Sequence, residues 1–124
     1  MSRIFLGLLF SIISLYGVEF HSYTEALILQ KKTKKIIMLD VVRTGCHFCE
    51  KMDTEVLQNS ALSKLLEKYF IVARVNLDTE LLPEGIKVDF TPTFYFFDYK
   101  HKIIKKIPGS WSLKDFKSLI EDMY

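Results

Sequence analysis

The run Ile36-Ile37-Met38-Leu39-Asp40-Val41-Val42 constrains the fold more than any other stretch of the chain. Six of its seven residues are apolar and they do not alternate with polar ones, which suits a strand covered on both faces. A strand of that kind sits inside a sheet, with helices packed above and below it. The residues that follow fit this placement. Thr44-Gly45 breaks the run, and a helix is predicted from Cys46, with Met52, Val56 and Leu57 on its inner side. Asn59-Ser60 reads as a break and a new cap, after which Leu62, Leu65, Leu66 and Tyr69 keep helical spacing. Phe70 to Leu77 (FIVARVNL) reads as a second strand. A strand–helix–strand order implies a right-handed crossover and a parallel pair.

The flanking segments complete the layout. Ser22-Tyr23-Thr24-Glu25 matches a capping box, so a first helix is predicted over Tyr23–Lys32. The basic cluster Lys31-Lys32-Thr33-Lys34-Lys35 then falls at a helix C-terminus, where charge–dipole attraction favours cations. Asp78 to Phe90 is a mixed connection with Pro83 and Gly85 and room for a short helix. Thr93-Phe94-Tyr95-Phe96-Phe97 is strongly β-prone, Tyr99 to Lys102 makes a turn, and Ile103 to Ile107 returns as the partner of an antiparallel hairpin. Pro108-Gly109 ends it, and Ser112 caps a last helix with Leu113, Phe116, Leu119, Ile120 and Met123 on its apolar stripe. The sum is an α/β domain, a mixed central sheet with helices on both faces.

Residues 1–18 are of another kind. Arg3 forms a short basic head, and Ile4 to Tyr16 is almost wholly apolar. That is too short to cross a bilayer of about 30 Å comfortably and fits the apolar region of a secretory signal. Cleavage is expected near Gly17, the alternative being an uncleaved membrane anchor; the domain proper is 19–124. Export places the chain in a compartment that permits disulfides, and a bacterial periplasm is the expected location. Hydrophobic residues at 49% and charged residues at 26% fit a folded globular chain. A net charge of only +2, with scattered Lys and Arg, gives no support to nucleic-acid binding.

Cys46 and Cys49, in Cys46-His47-Phe48-Cys49, are the only cysteines. Two intervening residues at the start of a helix let the sulfurs form and break a disulfide. One thiol then lies beside the N–H groups of the helix N-terminus, which favour a thiolate. A structural role is disfavoured, because so short a loop adds little stability through chain entropy. Haem attachment needs histidine after the second cysteine, and position 50 is Glu. Zinc is disfavoured by the lack of a second cysteine pair, so no resident metal is expected. A soft ion such as Cu(I) held by Cys46, Cys49 and His47, with a distant His21 or His101, is the alternative: an exported metal-handling module.

Asp40 in its buried strand, the Cys46–Cys49 dithiol six positions on, Thr91-Pro92 before an aromatic strand, and Gly109 after the hairpin coincide in order. Together they resemble the thioredoxin superfamily over the whole of 19–124. Cys46 to Asp78, with Glu50-Lys51-Met52 and Phe70-Ile71-Val72, is most similar to its exported members, including the carboxy-terminal domain of the bacterial thiol:disulfide interchange transmembrane protein.

The resemblance implies roles. Cys46 would attack and Cys49 would resolve the mixed disulfide. Asp40 would lie beneath the inner cysteine as its proton acceptor, its pKa raised by burial; the other reading is a carboxylate held by backbone N–H groups at a strand end. Thr91-Pro92 would be a cis-proline loop facing the dithiol, Thr91 lending backbone groups to an extended substrate. His47 either favours the Cys46 thiolate or points into solvent, and Phe48 either shapes an apolar contact surface or packs on the domain. Gly45 stands where cytoplasmic members carry tryptophan, and the single tryptophan, Trp111, reads as a packing residue. The expected activity is a monomeric protein-disulfide reductase without organic cofactor, acting on protein thiols and disulfides with a membrane electron donor or acceptor. His47 alone leans toward oxidation.

Overall fold

The computed structural model describes residues 17–124. The apolar leader therefore lies outside the described residues except for its last two positions. Four strands form one mixed sheet in the order β2-β1-β3-β4, where β1 is Ile36–Val42, β2 Phe70–Asn76, β3 Thr93–Phe97 and β4 Ile103–Pro108. β1 pairs parallel with β2 and antiparallel with β3, and β3 pairs antiparallel with β4. The α/β fold is the one the sequence implies, with β1 central and Ile37 to Val42 buried. Outside β2, His21 makes a single parallel bridge to Ala73.

Side-chain alternation along the strands divides the core. Ile37, Leu39 and Val41, with Ile71, Ala73, Val75, Tyr95 and Phe97, pack under α1 (Tyr23–Thr33) through Ala26. Met38, Phe70, Val72, Phe94 and Phe96 point the other way. There they meet α2 (His47–Met52), α3 (Ser60–Tyr69) and α4 (Leu113–Ile120) through Met52, Leu62, Leu66, Phe116 and Ile120. Burying a side chain of this size stabilises the fold by about 1.5–3 kcal/mol.

Local chemistry sets the helix ends. Ser22 accepts the Glu25 N–H at 3.1 Å, half of the capping box. The Glu25 carboxylate instead lies 3.4 Å from His21 Nδ1. Asn59 caps α3 and Ser112 caps α4 through the same type of bond. The helix opening at Cys46 does not continue as α past Met52. Asp53–Leu57 widens to a π-helix, with Gln58 N–H bonded to Asp53 O. The wider turn brings Val56 and Leu57, adjacent in sequence, both into the core.

The short helix expected within 78–90 is absent. Leu77, Leu82, Ile86 and Val88 pack against the α1 face of the sheet, and their spacing gives no helical stripe. Pro83 and Gly85, the latter at φ +85°, break the path further. Among the described residues, no helix is long and apolar enough to cross a membrane.

Candidate active site

The chain passes from β1 to α2 through Thr44-Gly45, and this turn is fixed from outside. The Thr44 N–H donates to Asp78 Oδ2 at 3.0 Å, and Asn76 Nδ2 donates to Thr44 Oγ1 at 3.2 Å. Gly45 holds φ +68°, which a side chain would resist. Cys46 is thereby placed as the N-cap of α2, with Cys49 in its first turn. The two are joined by a disulfide with Cα atoms 5.2 Å apart.

Both cysteines are largely covered, Cys46 at 9% exposure and Cys49 at 5%, and Val42 packs against the pair. Cys46 Sγ accepts two hydrogen bonds. One comes from the Cys49 N–H at 3.1 Å and the other from the Thr91 hydroxyl at 3.2 Å. Both would strengthen if the sulfur carried negative charge. Thr91 O lies 3.6 Å from the same sulfur. The Thr91–Pro92 peptide bond is cis, and Pro92 O accepts the Gly109 N–H at 2.7 Å. Thr91, far from the cysteines in sequence, thus meets Cys46 in space, and Pro92 ties Gly109 to the same loop. His47 and Phe48 point outward, Phe48 at 59% exposure, with ring centroids 5.8 Å apart.

Asp40 lies two residues behind Val42 on the same face of β1, at 1% exposure. No backbone N–H holds its side chain. Its Oδ2 accepts from Arg74 Nε at 3.2 Å and Nη2 at 2.7 Å, while Oδ1 has no partner among the described residues. Arg74 Nη2 also bonds Asp53 Oδ1, in the turn after Cys49, and the guanidinium lies 3.7 Å from the centre of the Phe20 ring. Burial pushes the Asp40 carboxyl up from 3.8 to about 6; Arg74 opposes that shift and Asp53 adds to it.

Arg74 and Asp53 escaped the reading of the sequence. A signal existed for Arg74, which is the lone charge of an apolar strand as Asp40 is of its own. The parallel register sets the two directly opposite. For the metal-handling alternative, the histidines do not converge on the dithiol. His21 bridges the outer edge of β2, and His101 lies in the β3–β4 turn, at the end of the sheet away from Pro92. Among the described residues, no three His, Cys, Asp or Glu side chains are grouped to hold a metal.

A disulfide at the mouth of a helix, bonded across to a proline loop, defines a class: the thiol–disulfide oxidoreductases. The model of the thioredoxin-like domain family matches residues 23–124. The chain belongs to that family. A thioredoxin from Thermus thermophilus is 30% identical, with a TM-score of 0.74 and 86% of each chain covered. DsbH oxidoreductase shares the fold at 21% identity, with a TM-score of 0.70, 99% of this chain and 90% of that one covered. A Bacteroides thetaiotaomicron protein described as a putative disulphide-isomerase also shares it, at 21% identity, with a TM-score of 0.68 and coverage of 86% and 95%. Over 67 residues the chain is 39% identical to mouse spermatogenesis-associated protein 20, a stretch that is 54% of this chain and 8% of that protein.

Proposed function

We propose that this protein is an exported thiol–disulfide oxidoreductase that exchanges disulfides with protein substrates, chiefly as their reductant. The observation that carries the reading is the Cys46–Cys49 disulfide with Thr91 bonded to its outer sulfur. In the reduced protein, the Cys46 thiolate attacks one sulfur of a substrate disulfide. A Cys46–substrate bond forms, and the other substrate sulfur leaves as a thiolate that takes a proton from solvent. Cys49 gives up its proton and attacks Cys46 Sγ. The Cys46–Cys49 bond forms, the second substrate thiolate leaves, and two electrons have passed to the substrate.

The residues support each step. Bonds from the Cys49 N–H and the Thr91 hydroxyl favour an anion on Cys46. Asp40, with its carboxyl raised to about 6 and one oxygen unpartnered, suits a proton acceptor for Cys49. Thr91 offers its backbone to an extended substrate strand, and Pro92 brings no N–H to compete at the sulfurs. His47 and Phe48 border the entry.

Export is supported by the basic head and apolar run of residues 1–18. The likeness to the interchange-protein domain supports the reducing direction, with a membrane protein returning electrons to the Cys46–Cys49 disulfide. Equilibration with glutathione measures the potential, where about 30 mV corresponds to 1.4 kcal/mol. A potential well below that of glutathione is expected. A Cys49→Ser variant, unable to resolve, should accumulate mixed disulfides with proteins in the producing cell. Capture of none would overturn the protein-substrate reading.

A further inference from the structure

Among the described residues, Arg74 is the only group bonded to the Asp40 side chain. Two further groups act on how that cation is held. Arg74 Nη2 donates to Asp53 Oδ1 as well as to Asp40 Oδ2. The flat guanidinium also lies 3.7 Å from the centre of the Phe20 ring, where cation and ring face attract. Phe20 is fixed in that position by its own backbone. The His21 N–H donates to Val72 O at 2.9 Å, and the Arg74 N–H donates to His21 O at 3.0 Å. Val18 and Phe20 pack against the core on the α2 side. The edge segment is thus stitched to β2 beside the residue whose side chain it covers. A cavity of about 190 Å³, lined in part by Gly17, Asp53 and Gln58, reaches Arg74 but not Asp40. Arg74 therefore stands between a cavity and a buried carboxylate.

We propose that Phe20 and Asp53 are positioning residues of opposite effect: Phe20 holds the Arg74 guanidinium against Asp40, Asp53 draws it toward the cavity, and the balance sets how readily Asp40 takes the proton of Cys49. This rests on the acceptor role proposed above for Asp40, in which the proton leaves Cys49 Sγ and neutralises the carboxylate. A carboxylate close to a cation holds a proton weakly. Loosening Arg74 strengthens that hold, and tightening Arg74 weakens it. The charged groups that bear on Asp40 are Arg74 from β2 and Asp53 from the turn after α2; Phe94, its neighbour on β3, carries none. Asp53 acts in two ways. Its own negative charge pushes the Asp40 carboxyl up, and it takes a share of the Arg74 cation. Phe20 acts through Arg74 alone, because a benzene ring carries no net charge.

The experiment uses the oxidised full-length protein, in which neither cysteine titrates. The Asp40 carboxyl carbon is followed by NMR through the acid and neutral range, with Asp40→Asn to assign its signal. In the parent it should titrate near pH 6. Phe20→Leu keeps an apolar side chain against the core and removes the ring face. There the midpoint should rise by about half to one pH unit. Phe20→Tyr keeps the face and should leave the midpoint in place. In Asp53→Asn the midpoint should fall by about the same amount. A general loosening of the fold would instead let water reach Asp40 and lower the midpoint in every variant. Shifts of one sign in Phe20→Leu and Asp53→Asn therefore overturn the proposal. So does a midpoint that neither variant moves, or a Phe20→Tyr midpoint displaced as far as that of Phe20→Leu.

A second readout joins the clamp to the chemistry. The rate of disulfide exchange, measured over the same range, should show a pH dependence that moves with the carboxyl midpoint in each variant. Carboxyl shifts with an unchanged rate profile would refute the acceptor role of Asp40 instead. Absence of exchange in the parent would refute the exchange reaction itself.

Discussion

The outer and inner sides of the dithiol are built on opposite principles. Outside, Cys46 is met by uncharged groups: a backbone N–H, the Thr91 hydroxyl and, nearby, exposed rings. Inside, beneath Val42, the protein has buried a carboxylate and drawn a guanidinium and a second carboxylate to it. Neutral donors aimed by a rigid turn can steady a sulfur anion at little cost to folding. A charge buried at Asp40 instead makes folding depend on pH. The comparison teaches that the outer side is built on geometry and the inner side on charge.

Perturbations should separate the two sides. The largest effect belongs to Cys46→Ser, which should abolish disulfide exchange in an insulin-reduction assay while leaving the fold intact by circular dichroism. Next comes Arg74→Met, which leaves Asp40 buried without its partner. The expected loss is about 3 kcal/mol at pH 7, the cost of leaving a buried charge without its partner. Urea denaturation at pH 7 and pH 5 measures it, and the loss should shrink at the lower pH.

Asp40→Asn should have the opposite sign. The Asp40 pKa is about 6 in the folded protein against 3.8 for the ordinary group, so the folded state binds the proton more tightly. The stability it contributes is complete below about pH 4 and is lost as pH rises through 6, by about 3 kcal/mol in all. The variant should therefore be more stable than the parent above pH 6 and converge with it toward pH 4. The role proposed for Asp40 also requires the variant's exchange rate to drop near neutrality. Equal stability of the two proteins at pH 7 would show that Arg74 cancels the burial cost entirely. The smallest effect is that of Thr91→Val, which removes one donor worth about 1 kcal/mol. The Cys46 pKa, followed by thiolate absorbance, should rise by less than about one unit.

Much of the fold was legible because it is written locally. The apolar run 36–42, interrupted only by Asp40, suits an inner strand. Asn59 and Ser112 are caps by their side-chain oxygens, and the aromatic run 93–97 was long enough to stand alone. The dithiol and Asp40 could be picked out because each is odd in its setting, whereas the proline loop was read from the family resemblance. What could not be read depends on how segments are aligned. Arg74 becomes a partner of Asp40 only once β2 is set against β1, and Asp53 joins them only because the helix reaches that far. The widened turn at 53–57 follows from burying two adjacent residues, a demand the helical period does not announce. The loop 78–90 carries apolar residues at uneven intervals, so its packing has no periodic trace.

The pairing of Asp40 with Arg74 has a consequence during assembly. Each is the fifth residue of its strand, and they are matched rung for rung. Were β2 to dock a single step out of phase, its side chains would exchange faces. The guanidinium would then be driven among Leu39, Val41 and Tyr95, and the carboxylate stranded on the opposite side. A guanidinium and a carboxyl group parted in hydrocarbon would cost several kcal/mol each, a large share of what the whole domain gains by folding. The ion pair thus works as a locating pin, letting the two longest strands close in one alignment and expelling every neighbour of it.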